Sequence, residues 1–362
     1  MLEGGRISNS QLIFMLLFTV LGTAYFFLPG ISALFAGRDF WMCSALAALP
    51  SLLVILVIAK LHSFYPGLSI IQYSEKITGK AAGKVIGFLF AFWLVHTSSI
   101  IIQEFGEFMN IAFMPLTPTL VFAGVITALS GLAVYYGLEV VARAAEFLFP
   151  ILLILALVLL GMAAVNIRYD MLTPFLSNGV MPVLAGSLAS AAWKGEVVVA
   201  AMLFPFLNNP SQARNTGIYA VLLISLLLVL NSLEVAGVYG EEAKRLLFPV
   251  LNVARDINLL NFFQRMEAIL LVAWIAGLFA KLTVFYYCAV LALAQWSGLT
   301  SYRPLVMPLG VLMIALGAHN YRNVTELSNF ITLTWPFYGL SLELLLPGLL
   351  LLVAVLRKKK TV

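Results

Sequence analysis

Charge is what this sequence has least of. Asp, Glu, Lys and Arg make up 10% of its 362 residues, against 62% hydrophobic, where a soluble domain carries roughly 25% charged side chains. A mostly wetted surface is excluded, and a mean hydropathy of +1.02 reads as a polytopic membrane protein. Cysteine is nearly absent: Cys43 and Cys288 both lie in apolar runs, without disulfide or metal spacing. The three histidines, His62, His96 and His319, are too scattered for a zinc site. No P-loop or nucleophile motif occurs, so neither catalysis nor a metal or organic cofactor is expected. Low-complexity tracts and inserted soluble domains are missing as well. The net charge of +5 does not point to nucleic acid, because the basic residues gather at the ends of apolar runs and in the tail "LRKKK".

What remains is a series of apolar runs, each long enough to cross a bilayer at about 20 residues per crossing. Ten are expected, at 11–36, 40–59, 84–110, 119–136, 144–165, 183–207, 216–238, 267–294, 304–318 and 330–356. The first is too long for a cleaved signal peptide and reads as a retained span. The ninth is short and depends on its flanks. With the N-terminus inside, Arg6, Lys60, Lys76, Lys80, Lys84, Arg143, Arg214, Arg303, Arg357 and Lys358 to Lys360 fall on the inner side. The smaller outer set is Arg38, Arg168, Lys244, Arg245, Arg255, Arg265 and Arg322. Both termini are therefore expected to be cytoplasmic.

Lys194 and Lys281 fall inside the sixth and eighth spans. "SAAWKGEVVV" interrupts the sixth with Lys194, Gly195 and Glu196, and "LLFTVLGTAYFFLPG" places Gly22 and Thr23 inside the first. Two such interruptions five spans apart suggest broken helices in a 5+5 inverted repeat, the halves running about 11–165 and 183–356 of one transmembrane domain. That is the leucine-transporter type of all-α membrane fold, with its ligand site at the midplane. Broken half-helices present free N–H groups and partial positive charge to an anionic ligand group. Lys194 could reinforce that charge and Glu196 could hold a ligand ammonium, or the two could simply neutralise each other.

The third span carries His96, Ile100, Gln103, Glu107 and Asn110 on one helical face, with Glu104 about 100° round from Gln103, beside Thr97. The stripe suggests an aqueous approach to the midplane, with Glu107 and Asn110 at headgroup level. In the eighth span Thr283 and Tyr287 share a face and Lys281 lies on another. Lys281 is too deep to snorkel to water. It either acts as a built-in cation beside carbonyls freed around Val20 to Gly22, or pairs with Glu343 of the tenth span or Glu196. Glu343 is expected to serve as counter-ion to Lys281 or Lys194. The long outer loop from Tyr239 to Arg265 mixes apolar residues with both charge signs, and is expected at the interface and in contact with partners.

Four stretches carry a family resemblance: "ISNSQLIFMLLFTVLGTAYFFLP", "GLEVVARAAEFLFP", "LFPFLN" and "FFQRMEAILLVAWIAGLFAKLTVFYY". They resemble spore germination permeases, the membrane B subunits of germinant receptors in the amino acid–polyamine–organocation superfamily. The resemblance implies a leucine-transporter type fold in the spore inner membrane, a small germinant (usually an amino acid) as ligand, and a membrane A subunit and lipoprotein C subunit as partners. Gly22 and Thr23 match the family's span-one break, Thr283 and Tyr287 its span-eight face, and His96 or Thr97 its span-three contact. Trp193-Lys194-Gly195 departs from the family's more apolar segment. The expected ligand site is thus Gly22, Thr23, His96, Thr97, Ile100, Trp193, Lys194, Gly195, Glu196, Thr283 and Tyr287, with Lys281 and Glu343 in a coupling role. The alternative function is a proton-coupled amino-acid transporter of the same superfamily. "GLEVVARAAE" also has a plain reading, with Glu139–Arg143 and Arg143–Glu146 paired along a helix at the interface.

Overall fold

The structure, a computed structural model, describes residues 2–257, 266–321 and 323–358. Arg265, Arg322, Lys359, Lys360 and the loop residues Leu259, Leu260, Phe262 and Phe263 lie outside them. The regular elements among the described residues are helical: α1 (Asn9–Ala36), α2 (Phe40–Leu46), α3 (Ala48–Phe64), α4 (Ile70–Thr78), α5 (Lys80–Ala112), α6 (Thr119–Tyr136), α7 (Leu138–Ala163), α8 (Met181–Gly195), α9 (Ala200–Leu203), α10 (Ala213–Tyr239), α11 (Pro249–Asp256), α12 (Met266–Ser297), α13 (Arg303–Asn320), α14 (Val324–Asn329), α15 (Trp335–Leu340) and α16 (Leu346–Lys358). Eight helical stretches among the described residues are long and apolar enough to cross a membrane. The first of them, Asn9–Phe64, folds back at Gly37, whose φ of +54° suits a residue without a Cβ. The short α13 is not among the eight.

Local sequence explains the helix ends. Ser8 caps α1 with a reciprocal box: its hydroxyl accepts from the Gln11 amide at 3.1 Å, and the Gln11 side chain accepts from the Ser8 amide at 2.9 Å. Gly137, at φ +103°, turns α6 into α7, so α7 begins at Leu138, six residues before the expected 144. Glu139 pairs with Arg143 there at 3.3 Å, whereas Glu146 accepts from Gln11 of α1 at 2.8 Å.

α1 is the central helix, packed against α7, α8, α10 and α12. Nearly every residue from Leu12 to Ala33 is buried. Uniform apolarity around a helix is the mark of one enclosed on all sides. The expected break in this helix is not there. Its hydrogen-bond ladder runs unbroken through Gly22 and Thr23, so no carbonyls are freed at Val20 to Gly22. Gly22 serves contact instead: a Cβ there would lie 2.8 Å from Lys281 Cβ and 3.0 Å from the Gly277 carbonyl. A small residue lets α1 and α12 approach backbone to backbone, as membrane helices do where no hydrophobic effect drives them together.

The sixth span does change pitch, one residue later than expected. Gly195 stays helical at φ −65°, and the 3-10 turn is Glu196–Val199. α9 follows, then a second 3-10 turn, Phe204–Phe206. The tenth span carries two π turns, Phe330–Thr334 and Ser341–Leu345. Single π turns inside α-helices cluster at functional sites.

At one end of the bundle the N-terminal segment is tied down. Ile7 bridges Leu207, its amide donating to Phe206 O at 3.0 Å and its carbonyl accepting from Asn208 at 2.9 Å. The carboxylate of Glu3 accepts from the Gly5 and Leu138 amides and the Tyr287 and Tyr302 hydroxyls at 2.7–3.2 Å. At the other end α11 closes over the bundle, with Phe248 just before it against Phe27 and Phe108, ring centroids 5.3 and 4.7 Å apart.

Candidate functional site

Lys281 organises the interior. It projects from α12 where Gly22 brings α1 close, and its side chain is 1% exposed. Its ammonium donates to Glu196 Oε2 at 2.7 Å and to Thr23 Oγ1 at 2.8 Å. Thr23 also accepts from Trp193 Nε1 at 3.0 Å. Three elements thus meet at one ammonium: α1 through Thr23, α12 through Lys281, and the sixth span through Trp193 and Glu196. An ion pair this deep requires geometry of this quality, because each charge has lost its water. The pairing answers the question left open between Glu196 and Glu343: Glu196 is the counter-ion.

Beside this knot lies a small cavity of about 10 Å³ lined by Thr97, Ile100, Ile101, Glu104, Trp193, Glu196, Lys281, Ile331 and Trp335. It holds about one water molecule. Its walls carry two carboxylates, Glu104 and Glu196, and one cation, Lys281. Thr97 Oγ1 and Trp335 Nε1 are buried without a hydrogen-bond partner, so both have capacity to spare. Thr97, Ile101 and Glu104 recur at helical spacing on one face of α5, which is why the third span contributes this set.

Glu343 stands behind the cavity, in the second π turn of the tenth span. It is fully buried, and neither carboxylate oxygen has a hydrogen-bond partner. It abuts Gly339, where a Cβ would lie 3.2 Å from Oε1, and Gly195, where a Cβ would collide with the carboxylate. Gly195 is thus the space that admits Glu343, and not a break in the helix.

Five of the expected site residues therefore line one cavity: Thr97, Ile100, Trp193, Glu196 and Lys281. Gly22, Thr23, Gly195 and Glu343 pack around it. Four others lie elsewhere. Lys194 precedes the pitch change and points to the opposite side of α8, donating to the Ser44 carbonyl and, at 3.4 Å, to Ser225 Oγ. It pairs with neither Glu196 nor Glu343. His96 is one residue off the cavity face and packs among the rings of Phe92, Phe330 and Tyr338, at centroid distances of 5.9, 5.9 and 5.4 Å. Thr283 bonds back to its own helix at Phe279 O, 2.6 Å away. Tyr287, one turn on, donates to Glu3 at 3.1 Å at the end of the bundle. The face that Thr283 and Tyr287 share is real, but it serves packing and the N-terminal segment.

Four lining residues were not on the expected list: Ile101, Glu104, Ile331 and Trp335. Glu104 was legible, since it sits seven residues after Thr97 on the same face. Ile331 was not, because the π turn that holds it has no sequence signature.

Known proteins extend the picture. Spore germination protein KB of Bacillus subtilis (strain 168) is 28% identical over 365 residues, covering 99% of this chain and 97% of that protein. Spore germination protein A2 of the same organism is 26% identical, covering 84% of this chain and 82% of its own. Among solved structures, MhsT in complex with L-phenylalanine superposes with a TM-score of 0.64 at 12% identity, covering 95% of this chain and 97% of that one. Mhp1, a nucleobase-cation-symport-1 family transporter with bromovinylhydantoin bound, superposes with a TM-score of 0.67 at 12% identity, covering 96% and 78%. At that identity the likeness is one of fold: all-helical, of the leucine-transporter type. The sequence profile described as "Spore germination protein" matches residues 6–324, and this apolar helical bundle, an integral membrane protein, belongs to that family.

Proposed function

We propose that this chain is the membrane subunit of a spore germinant receptor, that it binds a small germinant at the midplane between α1, α5, the sixth span and α12, in the cavity that the tenth span closes, and that it signals germination rather than catalysing a reaction. The observation that carries the reading is the composition of that cavity. The carboxyl groups of Glu104 and Glu196 offer acceptors to a ligand ammonium, while the Lys281 ammonium offers a donor to a ligand carboxylate. A zwitterionic amino acid offers both groups. Family membership supports the germination role, and MhsT, whose structure holds L-phenylalanine, supports an amino acid in this fold. The receptor's A subunit and lipoprotein C subunit would be the partners, in the spore inner membrane with both termini cytoplasmic. The outer loop would contact those partners; within its described part, Arg255 donates to Ala112 O at 3.3 Å and Asp256 accepts from Tyr239.

The test pairs binding with uptake, using the full chain in proteoliposomes. Amino-acid binding without net accumulation, with germination lost on deletion, is the expected outcome. Uphill accumulation driven by a proton gradient would replace the receptor with the proton-coupled transporter. A methyl ester or decarboxylated analogue should bind at least tenfold more weakly than the parent amino acid, since each loses a charged partner worth about 1.5–3 kcal/mol.

A further inference from the structure

A second cleft lies away from the germinant cavity, at the end of the bundle that holds the N-terminal segment. Its volume is about 720 Å³, within the range of small-molecule sites at about 300–1,000 Å³. It opens between the last turns of α3 and the start of α10, with Leu351 of α16 behind. Asn9 at the start of α1 donates to Gln212 just before α10, which fixes the cleft at that end.

Three observations give it a chemistry. Its titratable lining is basic: Lys60, His62 and Arg214 face it, with no acidic side chain among the lining residues. Neither Lys60 nor Arg214 forms an ion pair among the described residues, and Lys60 lies instead over the Phe64 ring at 4.9 Å. Second, His62 is 5% exposed, yet both its ring nitrogens lack a hydrogen-bond partner. Burying an imidazole with neither nitrogen bonded is unfavourable unless something supplies a partner. Third, the 27-residue α10 begins beside Ser211 and Arg214 without a side-chain cap and brings the positive end of its dipole to the cleft, although its first amide, Ala213, already donates to the Pro210 carbonyl.

The wall says which anion fits. Leu49, Leu53, Val57 and Lys60 follow one another along one face of α3. Leu49 and Leu53 are 64% and 53% exposed, so the apolar strip faces the bilayer and ends at the cation. We propose that the cleft binds an anionic phospholipid, its phosphodiester headgroup held by Lys60, His62 and Arg214 at the positive end of α10, and its acyl chain along the leucines of α3. A free phosphate ion would use the cations but would leave the apolar strip without a role. Occupied, the headgroup would tie the last turn of α3 to the start of α10, and His62 already packs, tilted by 54°, against Phe204 of the sixth span at a centroid distance of 5.5 Å. Lipid would thereby bear on the helix that supplies Trp193 and Glu196.

The test uses the full-length chain purified in a neutral detergent, titrated with phosphatidylglycerol, with phosphatidylcholine of the same acyl chains, and with inorganic phosphate, and read by native mass spectrometry. Phosphatidylglycerol should bind at least tenfold more tightly than phosphatidylcholine. The Lys60→Gln/Arg214→Gln double variant should lose about thirtyfold of that affinity, or about 2 kcal/mol at 1.4 kcal/mol per decade, in line with about 1 kcal/mol per basic residue at an anionic surface. Both side chains are at the surface, so the variant should melt at the unaltered temperature. His62→Phe keeps the packing on Phe204 and removes both nitrogens, and should cost several-fold in phosphatidylglycerol affinity. Equal binding of the two lipids, or an unchanged double variant, overturns the site. Displacement of phosphatidylglycerol by phosphate at comparable concentration overturns the lipid in favour of a free anion. Wild-type affinity in His62→Phe removes the histidine from it.

Discussion

The Lys281 ammonium has two partners, Glu196 and Thr23, and almost no contact with solvent. Removing one member of such a pair leaves an uncompensated buried charge, at a cost of about 3–5 kcal/mol. Lys281→Met is therefore expected to lower the melting temperature of the purified protein sharply. Adding Glu196→Gln should recover most of the loss, because the stranded carboxylate is then gone. Adding Glu343→Gln should not. Rescue by Glu343→Gln, and none by Glu196→Gln, would reverse the assignment of the counter-ion. Gly22 tests the neighbouring contact. Even Gly22→Ala brings a methyl to 2.8 Å from Lys281 Cβ and 3.0 Å from a carbonyl oxygen, and overpacking of this kind costs about 1–3 kcal/mol. An alanine variant with unchanged melting behaviour would mean that α1 and α12 are not held this close.

Between elements, the sixth and tenth spans meet where Gly195 admits the carboxylate of Glu343. Gly195→Ala drives a methyl into that carboxylate, and shortening the acid should relieve the collision. The double variant Gly195→Ala/Glu343→Ala is expected to be more stable than Gly195→Ala alone, with a coupling energy of about 0.5–3 kcal/mol in a double-mutant cycle. Additive single effects would show the two spans to be independent there. The N-terminal segment is a second such joint. Glu3→Ala strands two tyrosine hydroxyls and the Leu138 amide, and each unpaired buried group costs about 1–3 kcal/mol. Burial, and then the Glu3 carboxylate, push the Tyr302 phenol up to about 12. An anion beside a phenol disfavours phenolate, so Glu3→Ala should move Tyr302 down toward the ordinary tyrosine range. Ultraviolet titration of the variant against wild type reads that shift, and an unmoved titration would separate Tyr302 from Glu3.

For the molecule as a whole, the cavity of about 10 Å³ is smaller than any amino acid. Binding must move its walls, and two of those walls are Trp193 and Trp335, on different spans. A germinant is therefore expected to change the intrinsic tryptophan fluorescence saturably, and Trp335→Phe to remove a large part of that change. A saturable binding isotherm with constant fluorescence would place the germinant elsewhere. The same requirement gives a route for signalling: a ligand that parts α5, the sixth span and the tenth span also moves the pitch changes at Glu196–Val199 and Ser341–Leu345, where helical hydrogen bonding is already rearranged.

The sequence by itself determined the membrane, the helices and the family. Scarce charge leaves no other solvent for this surface, and long apolar runs bounded by Gly37 and Gly137 locate most span ends within a few residues. It also singled out Lys281, Glu196 and Glu343, since an ionisable group deep in an apolar run is costly wherever it points. Which of them pair was not legible. Lys194 and Glu196 are two residues apart, about 200° round a helix, and only the fold decides which of those directions is the interior site and which is the Ser44 carbonyl. The glycines show the same limit. Gly22 and Gly195 read as helix breaks because glycine is a poor helix former, whereas in the folded bundle each is the space into which Lys281 or Glu343 fits. A missing Cβ has one meaning along the chain and another across it, and the second exists only when a neighbour's side chain has arrived to fill the gap.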